Sequence, residues 1–208
     1  KAKIRLSAFE IELVTNTEWI FAKQLIIEKV YHLFGRLNED FKKIIGEEKI
    51  FFIPELQKKN GKISKGENYK GLPYIILDYP ALFSKENIFA VRTLFWWGNY
   101  FSISLHLSGK YLQHLRQSQS VFSFLQDNDF SVCINENEWQ HDFEESNYVN
   151  ISKLNLEEIN KIFEKPFFKI AQKIDLQEWD KAEIFLTGIF KKLIDFIAIS
   201  FPACEKAL

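Results

Sequence analysis

The side chains best able to do chemistry lie close together in this sequence. Arg92 and His106 sit in the two halves of the stretch N-I-F-A-V-R-T-L-F-W-W-G-N-Y-F-S-I-S-L-H-L-S, residues 87–108, with Tyr100, Ser102 and Ser104 between them. Upstream, residues 58–70 hold Lys58, Lys59, Lys62, Lys65 and Lys70, punctuated by Gly61 and Gly66, and Gly71 follows. An imidazole takes or gives a proton near neutral pH when it can reach the reacting group. A guanidinium grips a carboxylate or phosphate through two parallel hydrogen bonds, whereas lysines act as point charges. Together these types suit recognition of a small anionic or aromatic molecule, with His106 as acid or base if catalysis follows.

Arg92 carries a second implication. Arginine occurs only at positions 5, 36, 92 and 116, in a chain that otherwise chooses lysine. The alternation around Arg92 puts it on an apolar strand face, where a guanidinium must be paired. Asp78, in the preceding apolar run L-P-Y-I-I-L-D-Y, is the expected partner.

These residues are positioned by a β-hairpin. Gly98-Asn99 matches a two-residue type II′ turn, giving strands at about 88–97 and 100–107 with Trp97 opposite Tyr100. That register places Trp96, Leu94, Arg92 and Ala90 beside Phe101, Ile103, Leu105 and Leu107. The other face then mixes Trp97, Phe95, Thr93, Val91 and Phe89 with Tyr100, Ser102, Ser104 and His106. Pockets pair apolar walls with a few polar groups. The expected ligand site is therefore Trp97, Tyr100 and His106 on the sheet, with Arg92 nearby. Lys65 or Tyr69 closes over it from a glycine-punctuated loop at 58–71.

Around the hairpin, Ser7 and Glu10 form a capping-box pattern for a short helix at about 8–14. An apolar stripe of Trp19, Ala22, Ile26, Val30, Leu33, Leu37, Phe41 and Ile44 marks a long helix at about 18–45, which Gly35 can kink. A short apolar run covers 50–53. Strands are expected at 72–79, 130–135 and 148–151, and helices at about 110–125 and 156–165. Residues 167–174 fit either state. A final helix at about 177–200 should bury Trp179, Ile184, Phe185, Ile189, Leu193, Phe196 and Ile197. The acidic segment 135–147 reads as a solvated loop. The fold class is α+β: one domain, residues 1–208, with an antiparallel sheet built on the hairpin and the long N- and C-terminal helices packed on one face.

Composition narrows the partners. The formal net charge is −1, which gives no general attraction to nucleic acid or anionic membrane. The aromatic residues near the hairpin resemble a base-stacking platform in kind, yet only the loop lysines supply charge, so single-stranded nucleic acid ranks third among the readings. The pattern contains no nucleophile elbow, zinc-protease motif, dinucleotide fingerprint or P-loop, and nothing calls for a cofactor or metal. Two distant cysteines, Cys133 and Cys204, point to free thiols in a reducing cytoplasm. No stretch reads as a signal peptide or membrane span. The expected function is a cytoplasmic binding or interaction domain, for a small ligand or a protein partner, with a small-molecule enzyme as the alternative.

Overall fold

The structure is a computed structural model that describes residues 3–47, 56, 60–116 and 121–201. Seven antiparallel strands form one sheet: β1 (Lys62–Tyr69), β2 (Leu72–Phe83), β3 (Ile88–Trp96), β4 (Tyr100–Ser108), β5 (Ser131–Cys133), β6 (Tyr148–Asn150) and β7 (Phe167–Asp175). Their order across the sheet is β1-β2-β3-β4-β7-β5-β6. The expected hairpin is thus the centre of the sheet, and the ambiguous segment 167–174 is a central strand. β4 is buried along its whole length because both of its faces are covered.

The hairpin register differs by one residue from the sequence expectation. Trp96, not Trp97, lies opposite Tyr100, and the loop has three residues, with Gly98 at φ +70°. Trp97 leaves the ladder: its N–H donates to the Pro73 carbonyl, and its ring packs edge-on to Phe95. A slip of one residue exchanges every side chain between faces. Here it sorts a mixed sheet into two clean surfaces. Phe89, Val91 and Phe95 join Phe101, Ile103, Leu105 and Leu107 in the main core. Arg92, Leu94 and Trp96 join Tyr100, Ser102, Ser104 and His106 on the opposite face.

Two other expectations are corrected. The stretch expected as an open loop at 58–71 is largely the edge strand β1, paired with β2 from Lys62 to Tyr69. β2 runs through Pro80 to Phe83, with a shift in register between Asp78 and Ala81, where a bulge accommodates the missing proline N–H. The run at 50–53 lies outside the described residues.

Helices cover the apolar face. They are α1 (Ala8–Thr15), α2 (Thr17–Glu47), α3 (Lys110–Arg116), α4 (Val121–Asp127), α5 (Leu156–Glu164) and α6 (Trp179–Ser200). Ser7 and Glu10 make the capping box at α1, and Asn155 and Glu158 repeat it at α5. α2 and α6 run side by side in the same direction: Arg36 pairs with Glu183 at 2.8 Å and Phe41 stacks on Phe190. Val30, Phe34, Leu37 and Phe41 are fully enclosed, as are Ala182, Leu186, Phe190 and Leu193.

Burial stops short at one end. Trp19 and Ala22, expected in the buried stripe of α2, are exposed, and so is Ile184 of α6. Since Arg36 sits beside Glu183, the first turns of α2, up to Leu25, extend past the N-terminus of α6 as a free arm, while Ile26, Ile27 and Val30 pack on the core. α1, which continues the arm, buries no residue at all.

Candidate functional site

The polar face of the sheet is roofed by residues 134–147, the segment that joins β5 to β6. The sequence marks this segment as acidic and solvated; the structure instead lays it across four strands. Glu138 reaches His106 on β4, with carboxylate Oε2 2.9 Å from imidazole Nε2. His141 reaches Arg92 on β3. Its backbone N–H and that of Asp142 donate to the hydroxyl of Tyr69 at the end of β1. Phe143 stacks on Tyr148 and meets Tyr100 edge-on.

Beneath this strap lies a row of charged and imidazole groups. Arg92 is gripped by Asp78 through two bonds, Nε to Oδ1 at 2.7 Å and Nη2 to Oδ2 at 2.9 Å. Its Nη1 lies 3.1 Å from His141 Nε2. A guanidinium only donates, so Nε2 accepts, and the imidazole proton belongs on Nδ1. That Nδ1 faces Lys169 Nζ at 3.3 Å. Lys169, on β7 and 2% exposed, also donates to the carbonyls of Glu138 (2.9 Å) and Gln140 (2.6 Å). A neutral amine has two hydrogens and one lone pair. Two carbonyls to donate to and one N–H to accept from use all three once the amine has lost its proton.

The electrostatics place the loss of the Lys169 proton at mildly alkaline pH, so the amine is still charged at pH 7. Burial, with the Arg92 charge adding to it, draws Lys169 down to about 8. Burial and then the Lys169 and Arg92 charges hold His141 down to about 2 and His106 to about 3. Both imidazoles are therefore neutral in the folded protein. Burial raises the Glu138 carboxyl, partly offset by Lys169, and pushes Tyr69 up to about 12.

The Lys169 amine makes a pH prediction with a definite sign. Its folded value lies below that of a free lysine, so between about pH 8 and 10.5 the unfolded chain binds more protons and stability rises with pH. Cys133, raised by burial, opposes this above about pH 9. From pH 8 to 9 the free energy of unfolding should rise by about 1 kcal/mol through Lys169. The rise should vanish in Lys169→Met. Urea unfolding at the two pH values checks it, and equal slopes in both proteins would refute the neutral amine.

Of the residues singled out in the sequence, the structure brings together Tyr69, Tyr100, His106 and Arg92. It does not bring Trp97 or Lys65 to them. Trp97 packs with the main core on the helix side. Lys65 is exposed on β1, opposite Ile75, whose side chain joins that same core. His141, Lys169 and Glu138 complete the cluster; the sequence groups His141 with Glu138 as possible metal ligands but joins none of the three to Arg92 or His106.

Glu138 is more open to solvent than Arg92 or His106, its side chain 30% exposed against 17% and 6%. Glu138 borders an open cleft of roughly 600 Å³ whose lining includes Trp139, Phe167, Ile88 and Lys85. His106 lies behind it, in edge contact with both Trp139 and Phe167. The group able to exchange a proton with a bound molecule is thus the Glu138 carboxylate, supported by a neutral imidazole.

No family model, no curated protein and no solved structure matches the chain. Among the described residues no helix is long and apolar enough to cross a membrane. Nor, among them, does any group of three or more His, Cys, Asp or Glu side chains converge as a metal site would require.

Proposed function

We propose that this protein is an interaction domain that docks a macromolecule on its N-terminal arm. One observation carries the reading: an apolar helical surface is left uncovered by the other described residues. Leu6, Phe9, Ile11, Val14, Phe21 and Leu25 are each half or more exposed, and Trp19 is 43% exposed. A lone exposed apolar side chain needs no explanation, but a contiguous apolar patch above a few hundred Å² marks an interface. The roofed polar face supports the same reading, because its charges are satisfied internally and spent on holding the strap.

The arm's exposure can be tested on the protein diluted until light scattering shows a single chain. Phe21→Glu with Leu25→Glu removes apolar groups that the folded chain does not bury. The cost in unfolding free energy should stay within about 0.5 kcal/mol per site, while binding of the apolar-surface dye ANS falls sharply. Unchanged dye binding, or a large loss of stability, would show that these side chains are covered.

A second reading is favoured by the Glu138 carboxylate at the cleft. It makes the cleft a site for a small molecule that offers a hydroxyl or ammonium donor between Trp139 and Phe167. Glu138→Gln should then abolish ligand-induced shifts of the Trp139 indole N–H in a fragment screen, and shifts that survive the substitution would remove this reading.

A further inference from the structure

Resting on the reading of the arm as a docking surface, we infer that its occupant is a second copy of this chain, each arm lying in a groove on the other. The groove is at the same end of the molecule as the arm. It has a volume of roughly 500 Å³, and its lining includes Tyr100, Ile174, Ile184 and Phe185, with Lys173 and Lys181 at its border. Ile184 is 80% exposed there although the periodicity of α6 marks it for burial. The two places where the helix stripes run into solvent are therefore one arm and one groove.

Geometry favours reciprocal use. α2 and α6 are parallel, so the arm leaves past the N-terminus of α6, while the groove opens on the side of α6 turned away from α2. Residues 17–25 project about 13 Å at ~1.5 Å per residue, and Ile26, Ile27 and Val30 beyond them pack on the core. The arm is apolar on more than one side: Trp19 continues the core stripe, and Phe21 and Leu25 fall on the opposite side of the helix. Such a helix needs enclosure rather than a flat support. Its charges, Glu18, Lys23, Glu28 and Lys29, are spread around the axis, unlike the single charged face of a helix lying on a membrane. At roughly 200 Å² for each large side chain, the exposed apolar residues from Ile4 to Tyr31 offer on the order of 1,000 Å². A stable dimer needs about 800 Å² from each partner. A twofold axis makes both contacts at once, since the same two patches are used on each copy.

Light scattering on the full chain tests this. The wild type should have about twice the chain mass of 24.6 kDa. Phe21→Glu with Leu25→Glu should give monomers, and so should Ile184→Glu alone. All three residues are exposed in the single chain, so circular dichroism should match the wild type, while melting should fall and lose the concentration dependence of a dimer. Mixing the two variants should restore a dimer with one intact arm-in-groove contact, weaker than the wild type by at least tenfold. A dimer indifferent to Ile184→Glu overturns the proposal. So does a wild type that stays monomeric up to about 100 μM. In a monomer, ANS bound at the arm would leave the docking reading standing, and a dye-silent arm would remove both.

Discussion

Lowering the pH from 7 to 5 should cost this protein about 4 kcal/mol of stability, well before ordinary carboxylates titrate. The loss comes from His106 and His141. Burial and the neighbouring cations keep both imidazoles neutral in the fold, with values of about 3 and 2. In the unfolded chain a histidine takes up its proton near 6.5. The folded values are depressed, so the stability these groups give is present above about pH 6.5 and is lost as pH falls towards the folded values. Over pH 7 to 5 each histidine contributes about 2 kcal/mol of loss. Glu138, raised by burial, works in the opposite sense, and its influence grows only as its own range is approached. Urea unfolding at the two pH values gives the free energies directly. The imidazole carbon resonances of His106 and His141 should stay fixed in the folded protein across that interval. Flat stability, or an imidazole titrating near 6.5 while the protein is folded, would contradict the buried cluster.

Arg92→Leu should destabilise the fold by about 3–5 kcal/mol, the usual cost of leaving one half of a buried pair uncompensated. The side chains of Arg92 and Asp78 are 17% and 11% exposed, and Arg92 Nε lies 2.7 Å from the carboxylate. Removing the guanidinium strands the Asp78 charge and also takes the donor from His141 Nε2. Adding Asp78→Asn to Arg92→Leu relieves the first of these. The double variant should therefore recover half or more of the lost stability. Thermal melts of the two single variants and the double provide the comparison. A double variant no better than Arg92→Leu would mean that the pair does not carry this energy.

The Arg92–Asp78 pair was legible in the sequence because its argument is local. An arginine among strand-forming apolar residues needs a carboxylate, and the adjacent strand supplies one. The long helices were legible for the same reason, from periodicity over many turns. The hairpin register was not, because Gly98-Asn99 fits a two-residue turn as well as part of a three-residue one. The choice depends on Trp97 finding Pro73 and Phe95 outside the hairpin. A better signal was available: only the observed register puts Arg92, Ser102, Ser104 and His106 on one face. Lys169 was hidden because F-F-K-I-A reads as core in either state. His141 was hidden because the acidic residues around it resemble an ordinary solvated loop. What marked that segment as a roof was Trp139 and Phe143 among the acids, since rings in a loop need a surface to cover. The exposed arm was the reverse case: the stripe was expected to be buried from Trp19 onward, and Trp19 and Ala22 are exposed because the described residues supply no cover there.

The most direct test of the docking arm is photo-crosslinking in the cell that makes the protein. A benzophenone side chain replaces Phe21 in one experiment, Leu25 in a second and the exposed Lys153, far along the chain, in a third. The docking account predicts a discrete covalent adduct from positions 21 and 25 and none from 153. No adduct from the arm, or the same adducts from all three positions, would contradict it.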